Sequence, residues 1–89
     1  MSQQYNIIVK GKVQGVWYRK STLEKAVEIG LIGFVKNQPD GSVYIEAKGT
    51  KNQLEELIEW CKVGPEYARV DAVTFTKVPA QAFDGFEIL

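Results

Sequence analysis

The stretch Leu31-Ile32-Gly33-Phe34-Val35-Lys36-Asn37-Gln38-Pro39-Asp40-Gly41-Ser42-Val43-Tyr44-Ile45-Glu46-Ala47-Lys48 decides the fold. Leu31 to Lys36 is a short apolar run of strand length. Asn37-Gln38-Pro39-Asp40-Gly41 is a dense cluster of turn formers. Val43 to Lys48 then alternates, with Val43, Ile45 and Ala47 on one face and Tyr44, Glu46 and Lys48 on the other. Two short strands around such a turn predict a hairpin over Leu31–Ala47.

Reading outward, each flank adds a helix and a strand. Downstream, Thr50-Lys51-Asn52-Gln53 fits a capping box, with Thr50 as N-cap and Gln53 reaching back. Leu54, Leu57, Ile58 and Cys61 form the helical stripe that follows, and Gly64-Pro65 ends it. Arg69 to Val78 predicts a fourth strand with Val73 and Phe75 as its inward pair. Phe83 to Leu89 predicts a fifth. Upstream, Ser21 to Ile29 predicts a helix with Leu23, Ala26 and Val27 on one face and room for an earlier start. Gly30 is its stop residue. Tyr5 to Val13 predicts the first strand, where Tyr5, Ile7, Val9 and Val13 alternate with Asn6, Lys10 and Lys12, with Ile8 the exception.

The order is therefore strand, helix, strand, strand, helix, strand, with a final short strand. Each helix is apolar on one side only, and the strands alternate. Two helices on one face of a mainly antiparallel sheet satisfy both patterns. The fold class is α+β, the split βαβ or ferredoxin-like sandwich. The 89 residues suit one domain, 1–89, because a second core will not fit.

Composition narrows the chemistry. Eleven Lys and Arg balance eleven Asp and Glu, so the basic excess of a nucleic-acid module is missing. No apolar run reaches the roughly 18 residues of a membrane helix, and Met1-Ser2-Gln3-Gln4 shows no signal-peptide pattern. There is no histidine, which removes Ser-His and Cys-His catalysis and His-ligated metals. One cysteine, Cys61, excludes an internal disulfide and a cysteine-ligated cluster. The expectations are a cytoplasmic, monomeric protein with no metal, no cofactor, no membrane and no nucleic-acid partner. Any chemistry must run on Arg, Lys, Asp, Glu, Asn, hydroxyls and backbone amides. Asp40, Asp71 and Asp84 are scattered and read as turn or surface residues.

Two segments carry candidate chemistry. Gly11-Lys12-Val13-Gln14-Gly15-Val16-Trp17-Tyr18-Arg19 joins the first strand to the first helix. A loop entering a helix presents unpaired N–H groups, and these with the helix dipole favour an anion. Gly15 lets the backbone curl, and Arg19 offers a planar charged fork that suits phosphate oxygens. By itself this also reads as a surface loop with a solvated arginine. In the second segment Asn37 ends a strand, where its amide could hold a water and a substrate oxygen together. By itself Asn37 also reads as a turn cap.

Together the segments resemble the two signatures of the acylphosphatase family. Gly11 to Arg19 matches G-x-V-Q-G-V-x-[FY]-R throughout. Gly33, Phe34, Val35, Lys36, Asn37, Gly41, Val43 and Gly49 match the second at its spacing. Gly64-Pro65 and Ala68-Arg69-Val70 resemble the family's segment after its second helix. The resemblance implies the fold read above and hydrolysis of a small acyl phosphate to a carboxylate and inorganic phosphate. It implies that Gln14, Gly15, Val16, Trp17, Tyr18 and Arg19 bind the phosphoryl group, that Arg19 and Asn37 are catalytic, and that Asn37 orients the attacking water. In the family the C-terminal carboxylate can lie near the arginine, which would set Leu89 beside Arg19; by itself Leu89 also reads as a frayed terminus. Gln38 stands at a variable position where a hydroxyl would have offered one more water contact.

Other features read as packing or solvation. Cys61 lies on the apolar stripe and Tyr44 and Phe75 read as packing residues. Trp17 either lines the mouth of the site or covers the sheet. The Lys10 and Lys12 charges either attract anions or are solvated. Two rival functions share parts of this pattern. RNA-recognition domains share the element order, but Val43-Tyr44-Ile45-Glu46-Ala47 lacks their basic and multiply aromatic run. The other rival is a non-catalytic acylphosphatase-like domain that binds an anion or a partner, as inside larger maturation enzymes.

Overall fold

The structure is a computed structural model that describes residues 2–89. Its elements are β1 (Gln3–Lys12), α1 (Tyr18–Ile29), β2 (Ile32–Asn37), β3 (Val43–Gly49), α2 (Lys51–Cys61), β4 (Arg69–Val78) and β5 (Phe86–Ile88). The strands form one sheet in the order β4-β1-β3-β2-β5. Three neighbouring pairs are antiparallel; β5 lies parallel to β2. This is the expected ferredoxin-like α+β sandwich.

The hairpin forms because its alternation has one dry face. Val35 of β2 and Val43, Ile45 and Ala47 of β3 are fully buried beside Tyr5, Ile7 and Val9 of β1. Facing them are Leu54, Leu57, Ile58 and Cys61 of α2, the stripe expected from the sequence. The Thr50 capping box is present: Thr50 Oγ1 accepts from Gln53 N at 3.2 Å, and Gln53 Oε1 accepts from Thr50 N at 2.8 Å. At Gly33, φ is 143° and a Cβ would collide with the main-chain oxygen of Glu46 in β3, so the close approach of β2 to β3 requires glycine there.

Three expectations need correction. Helix α1 starts at Tyr18, and its buried face is Tyr18, Thr22 and Ala26, with Val27 62% exposed. Residues four apart stack on one face, and Tyr18 sets the phase of that row. Phe75 is half exposed: it pairs opposite the buried Ile7 and stacks on Tyr5 at 4.6 Å, but β4 is an edge strand at the margin of the core. The last strand is only Phe86–Ile88, because the residues before it have to cross the sheet.

That crossing is a strap over 79–85, which runs from β4 at one edge to β5 at the other across the helix-free face. Gln81 N donates to Gln4 Oε1 at 2.9 Å, and Lys48 Nζ donates to Gln81 O at 3.0 Å. Phe83 meets the ring of Phe34 edge-on. Gln4 is fully buried, and its Nε2 donates to Asn6 Oδ1 and Glu46 Oε1, so its amide is paired at both ends.

Candidate active site

The loop between β1 and α1 is anchored by two buried valines, Val13 and Val16, on either side of exposed Gly15. Gly15 has φ 73° and Trp17, the N-cap of α1, has φ 67°. Glycine enters that left-handed region freely, whereas for a bulky residue such as Trp it costs on the order of 1–3 kcal/mol. The first helical bond runs from Ser21 N to Trp17 O at 3.0 Å. Among the described residues, no acceptor is hydrogen-bonded to the N–H groups from Gly15 to Lys20. The first turn of α1 carries no acidic residue to occupy them. A run of free amides at a helix N-terminus is an anion site.

The start of α1 is fixed by Tyr18. Its side chain is buried, its hydroxyl donates to Cys61 O at 2.8 Å, and its ring lies 5.4 Å from that of Trp60. Thr22 Oγ1 donates to Tyr18 O at 2.8 Å. Burial pushes the Tyr18 phenol far above its ordinary range, so it stays neutral. Burial likewise pushes the Cys61 thiol up to about 12, which removes it as a nucleophile at neutral pH.

Gln14 ties this loop to the β2–β3 turn. Its Nε2 donates to Gln38 O and to Ser42 O, each at 2.8 Å. The turn is itself closed by Asp40, whose carboxylate accepts from Ser42 N at 2.9 Å and Ser42 Oγ at 2.6 Å. Those bonds hold the Asp40 carboxyl below its usual range. Asp40 is thus the turn residue expected.

Arg19 and Asn37 meet at one open cavity of about 330 Å³ between the loop, α1 and the ends of β2 and β5. Its lining includes Gly15 and Lys20 beside those two polar residues, together with Val13, Trp17, Tyr18 and Ile88. Arg19 Nη1 donates to the main-chain oxygen of Leu89 at 3.3 Å, and Leu89 N donates to Val35 O at 2.9 Å. Asn37 Oδ1 is buried and has no hydrogen-bond partner among the described residues. A buried acceptor without a partner costs roughly 1–3 kcal/mol, so Asn37 holds a ready position for a donor such as water.

The side chains of Gln14 and Val16 do not line this cavity; the first braces the turn and the second is buried. Only their amides belong to the loop. Trp17 stands at the cavity and not on the sheet. Lys20 and Ile88 line it although sequence reasoning had not singled them out. Lys20 follows Arg19 in the first helical turn, which was a usable signal; Ile88 arrives through a parallel strand pairing that leaves no local one. No helix among the described residues is long and apolar enough to cross a membrane. No group of three or more His, Cys, Asp or Glu among them is arranged to hold a metal ion.

Residues 5–88 match the acylphosphatase family profile. The chain belongs to the acylphosphatase family. It is 52% identical over 84 residues to an acylphosphatase of Marinobacter nauticus, covering 93% of this chain and 91% of that one. The acylphosphatase of Bacillus subtilis superposes with a TM-score of 0.95 at 37% identity, covering 100% of this chain and 99% of the other. That of Coxiella burnetii gives 0.96 at 34%, covering 99% and 93%. The two acylphosphatase signatures read from the sequence, Gly11–Arg19 and Gly33–Gly49, are thus the two segments that meet at this cavity. One brings the free amides and Arg19 to it, and the other brings Asn37.

Proposed function

We propose that this cavity hydrolyses the carboxyl-phosphate bond of small acyl phosphates, the reaction of the acylphosphatase family. The amides of Gln14 to Arg19 and the Arg19 guanidinium hold the phosphoryl oxygens and meet the charge that develops on them in the transition state. Asn37 Oδ1 accepts a hydrogen bond from a water and aims its oxygen at phosphorus. The water oxygen–phosphorus bond forms and the bond from phosphorus to the carboxyl oxygen breaks. The acyl phosphate dianion and water become a carboxylate and dihydrogen phosphate, with the proton of the water passing to the phosphate. The leaving carboxylate has a conjugate-acid pKa of about 4, so it departs at neutral pH without a general acid. A chain with no histidine suffices.

The convergence of Arg19 and Asn37 on one cavity beside unpaired amides carries this reading. The mechanism asks for no metal and no cofactor. Residues 1–89 act as one domain, as a monomer, on a small molecule and not on a nucleic acid or membrane. The single, buried thiol suits the reducing cytoplasm. The test is hydrolysis of benzoyl phosphate in the presence of a chelator by the wild type, Arg19→Ala and Asn37→Ala. The expected result is turnover by the wild type and a fall of about 10²–10³ in kcat for each variant. A folded but inert wild type that still binds phosphate would transfer the assignment to the non-catalytic anion-binding alternative.

A further inference from the structure

Polar and apolar side chains both line the cavity, and the hydrolysis proposed above uses only the polar ones and the loop amides. The phosphoryl group belongs with Arg19 and the loop amides. Whatever is joined to phosphorus through the carboxyl oxygen has to lie along the rest of the cavity. Two apolar side chains of the lining are poorly covered by the protein itself: Trp17 is 71% exposed and Ile88 is 40% exposed. Trp17 stacks on no other ring among the described residues, unlike Tyr5, Tyr18 and Phe34, each of which has an aromatic partner. Its backbone is held in the left-handed region that few bulky residues adopt, so the fold sets an indole with no aromatic partner beside the run of free amides.

We infer that Trp17 and Ile88 form an acyl-group subsite that selects acyl phosphates with a flat or bulky apolar acyl group over those with a short one. An aryl ring seated there removes apolar surface from water on both partners and can stack on the indole. An acetyl group reaches too little of that surface to benefit. Selectivity arises at these two side chains, while the phosphate side treats all acyl phosphates alike. The inference rests on the proposed hydrolysis.

The test compares kcat/KM for benzoyl phosphate and acetyl phosphate in the wild type, Trp17→Ala, Trp17→Phe and Ile88→Thr. Referring each variant's benzoyl-to-acetyl ratio to that of the wild type cancels the intrinsic reactivity of the two acyl phosphates and any common loss at the loop. The ratio is expected to fall about tenfold in Trp17→Ala, the size of one lost apolar contact of this kind, and a few-fold in Ile88→Thr. Trp17→Phe is expected to keep most of it. Benzylphosphonate is expected to inhibit the wild type more tightly than methylphosphonate, with the gap closing in Trp17→Ala. Active variants whose ratio matches the wild type overturn the subsite and leave the hydrolysis intact. So does a wild type that prefers succinyl to benzoyl phosphate, which would give the selectivity to the cation at Lys20. A wild type that turns over none of these acyl phosphates overturns the hydrolysis and the subsite together.

Discussion

The hydroxyl of Tyr18 donates a 2.8 Å hydrogen bond to the main-chain oxygen of Cys61, joining the first residue of one helix to the last of the other. Both partners are buried. Tyr18→Phe keeps the ring and strands the Cys61 carbonyl. The expected cost is about 1–3 kcal/mol, read as a fall of roughly 4–8 °C in Tm per kcal/mol. Since the run of free amides from Gly15 to Lys20 includes that of Tyr18 itself, phosphate affinity should weaken as well, checked by calorimetric titration with inorganic phosphate. An unchanged Tm would mean that the carbonyl finds another donor.

The buried thiol predicts a pH dependence. Cys61 ionises near 9.0 when exposed and is pushed up to about 12 in the fold. The native state therefore keeps a proton that the unfolded state releases. Its contribution is fully present below pH 9 and is lost as pH rises from there towards 12. The loss is about 1.4 kcal/mol per pH unit per proton. Tyr18, also raised, adds a second proton above pH 10. Denaturant unfolding from pH 8 to 11 should show stability falling with pH, with a shallower slope in Cys61→Ala once its lower baseline is subtracted. Equal slopes would remove Cys61 from the account.

Gln14 is expected to matter for rate although its side chain touches no part of the cavity. Its amide holds Gln38 O and Ser42 O, which bracket the turn that follows Asn37. Gln14→Leu frees both carbonyls, and Gln14→Glu places a carboxylate against them. A fall of about tenfold in kcat/KM for Leu and a larger one for Glu is expected, since a misplacement of about 1 Å can cost up to 10²-fold. Steady-state kinetics at several pH values checks this. The Glu variant should recover as its carboxyl is protonated at low pH, which a merely loosened loop would not do.

The two faces of α1 give a sharp contrast. Ala26 is fully buried and Val27 mostly exposed. Ala26→Val overfills the core and should cost about 1–3 kcal/mol, whereas Val27→Ser should stay within about 0.5 kcal/mol. Chemical denaturation of both variants checks the phase of the helix. The reverse ranking would restore the face with Val27 inward that its spacing to Leu23 suggested.

What could be read from the residues alone was what is local. The hairpin turn, the Thr50–Gln53 capping box and the Leu54-Leu57-Ile58-Cys61 stripe each lie within a few residues of their partners. The start of α1 was harder, because its N-cap is Trp17, with no polar side chain to announce it and a backbone angle that its residue type disfavours. Val27 misled because spacing alone fits two phases; the row is set by Tyr18, outside the predicted helix. Arg19 and Asn37 were each ambiguous by local chemistry. They became legible as a pair only through the two signature patterns, which record a long-range approach that neither segment shows. The Gln14 brace, the Gln4–Gln81 contact and the arrival of Ile88 all join distant parts of the chain, and periodicity is silent about them.

The sheet order also bears on how the cavity comes into being. β1 is the first strand of the chain and lies between β3 and β4, with Gln4 opposite Val78 and Lys12 opposite Arg69. Nearly the whole chain must close on itself before β1 has both neighbours. The entropy of closing such long loops comes before the reward of the contacts, so high contact order makes for folding in milliseconds to seconds, not microseconds. The hairpin that carries Asn37 and the capped helix α2 can form early from neighbours in sequence. The anion loop cannot, because it hangs from β1. The half of the cavity that holds Asn37 is thus assembled from short-range pieces, and the half that holds Arg19 and the free amides waits for the slowest closure in the molecule.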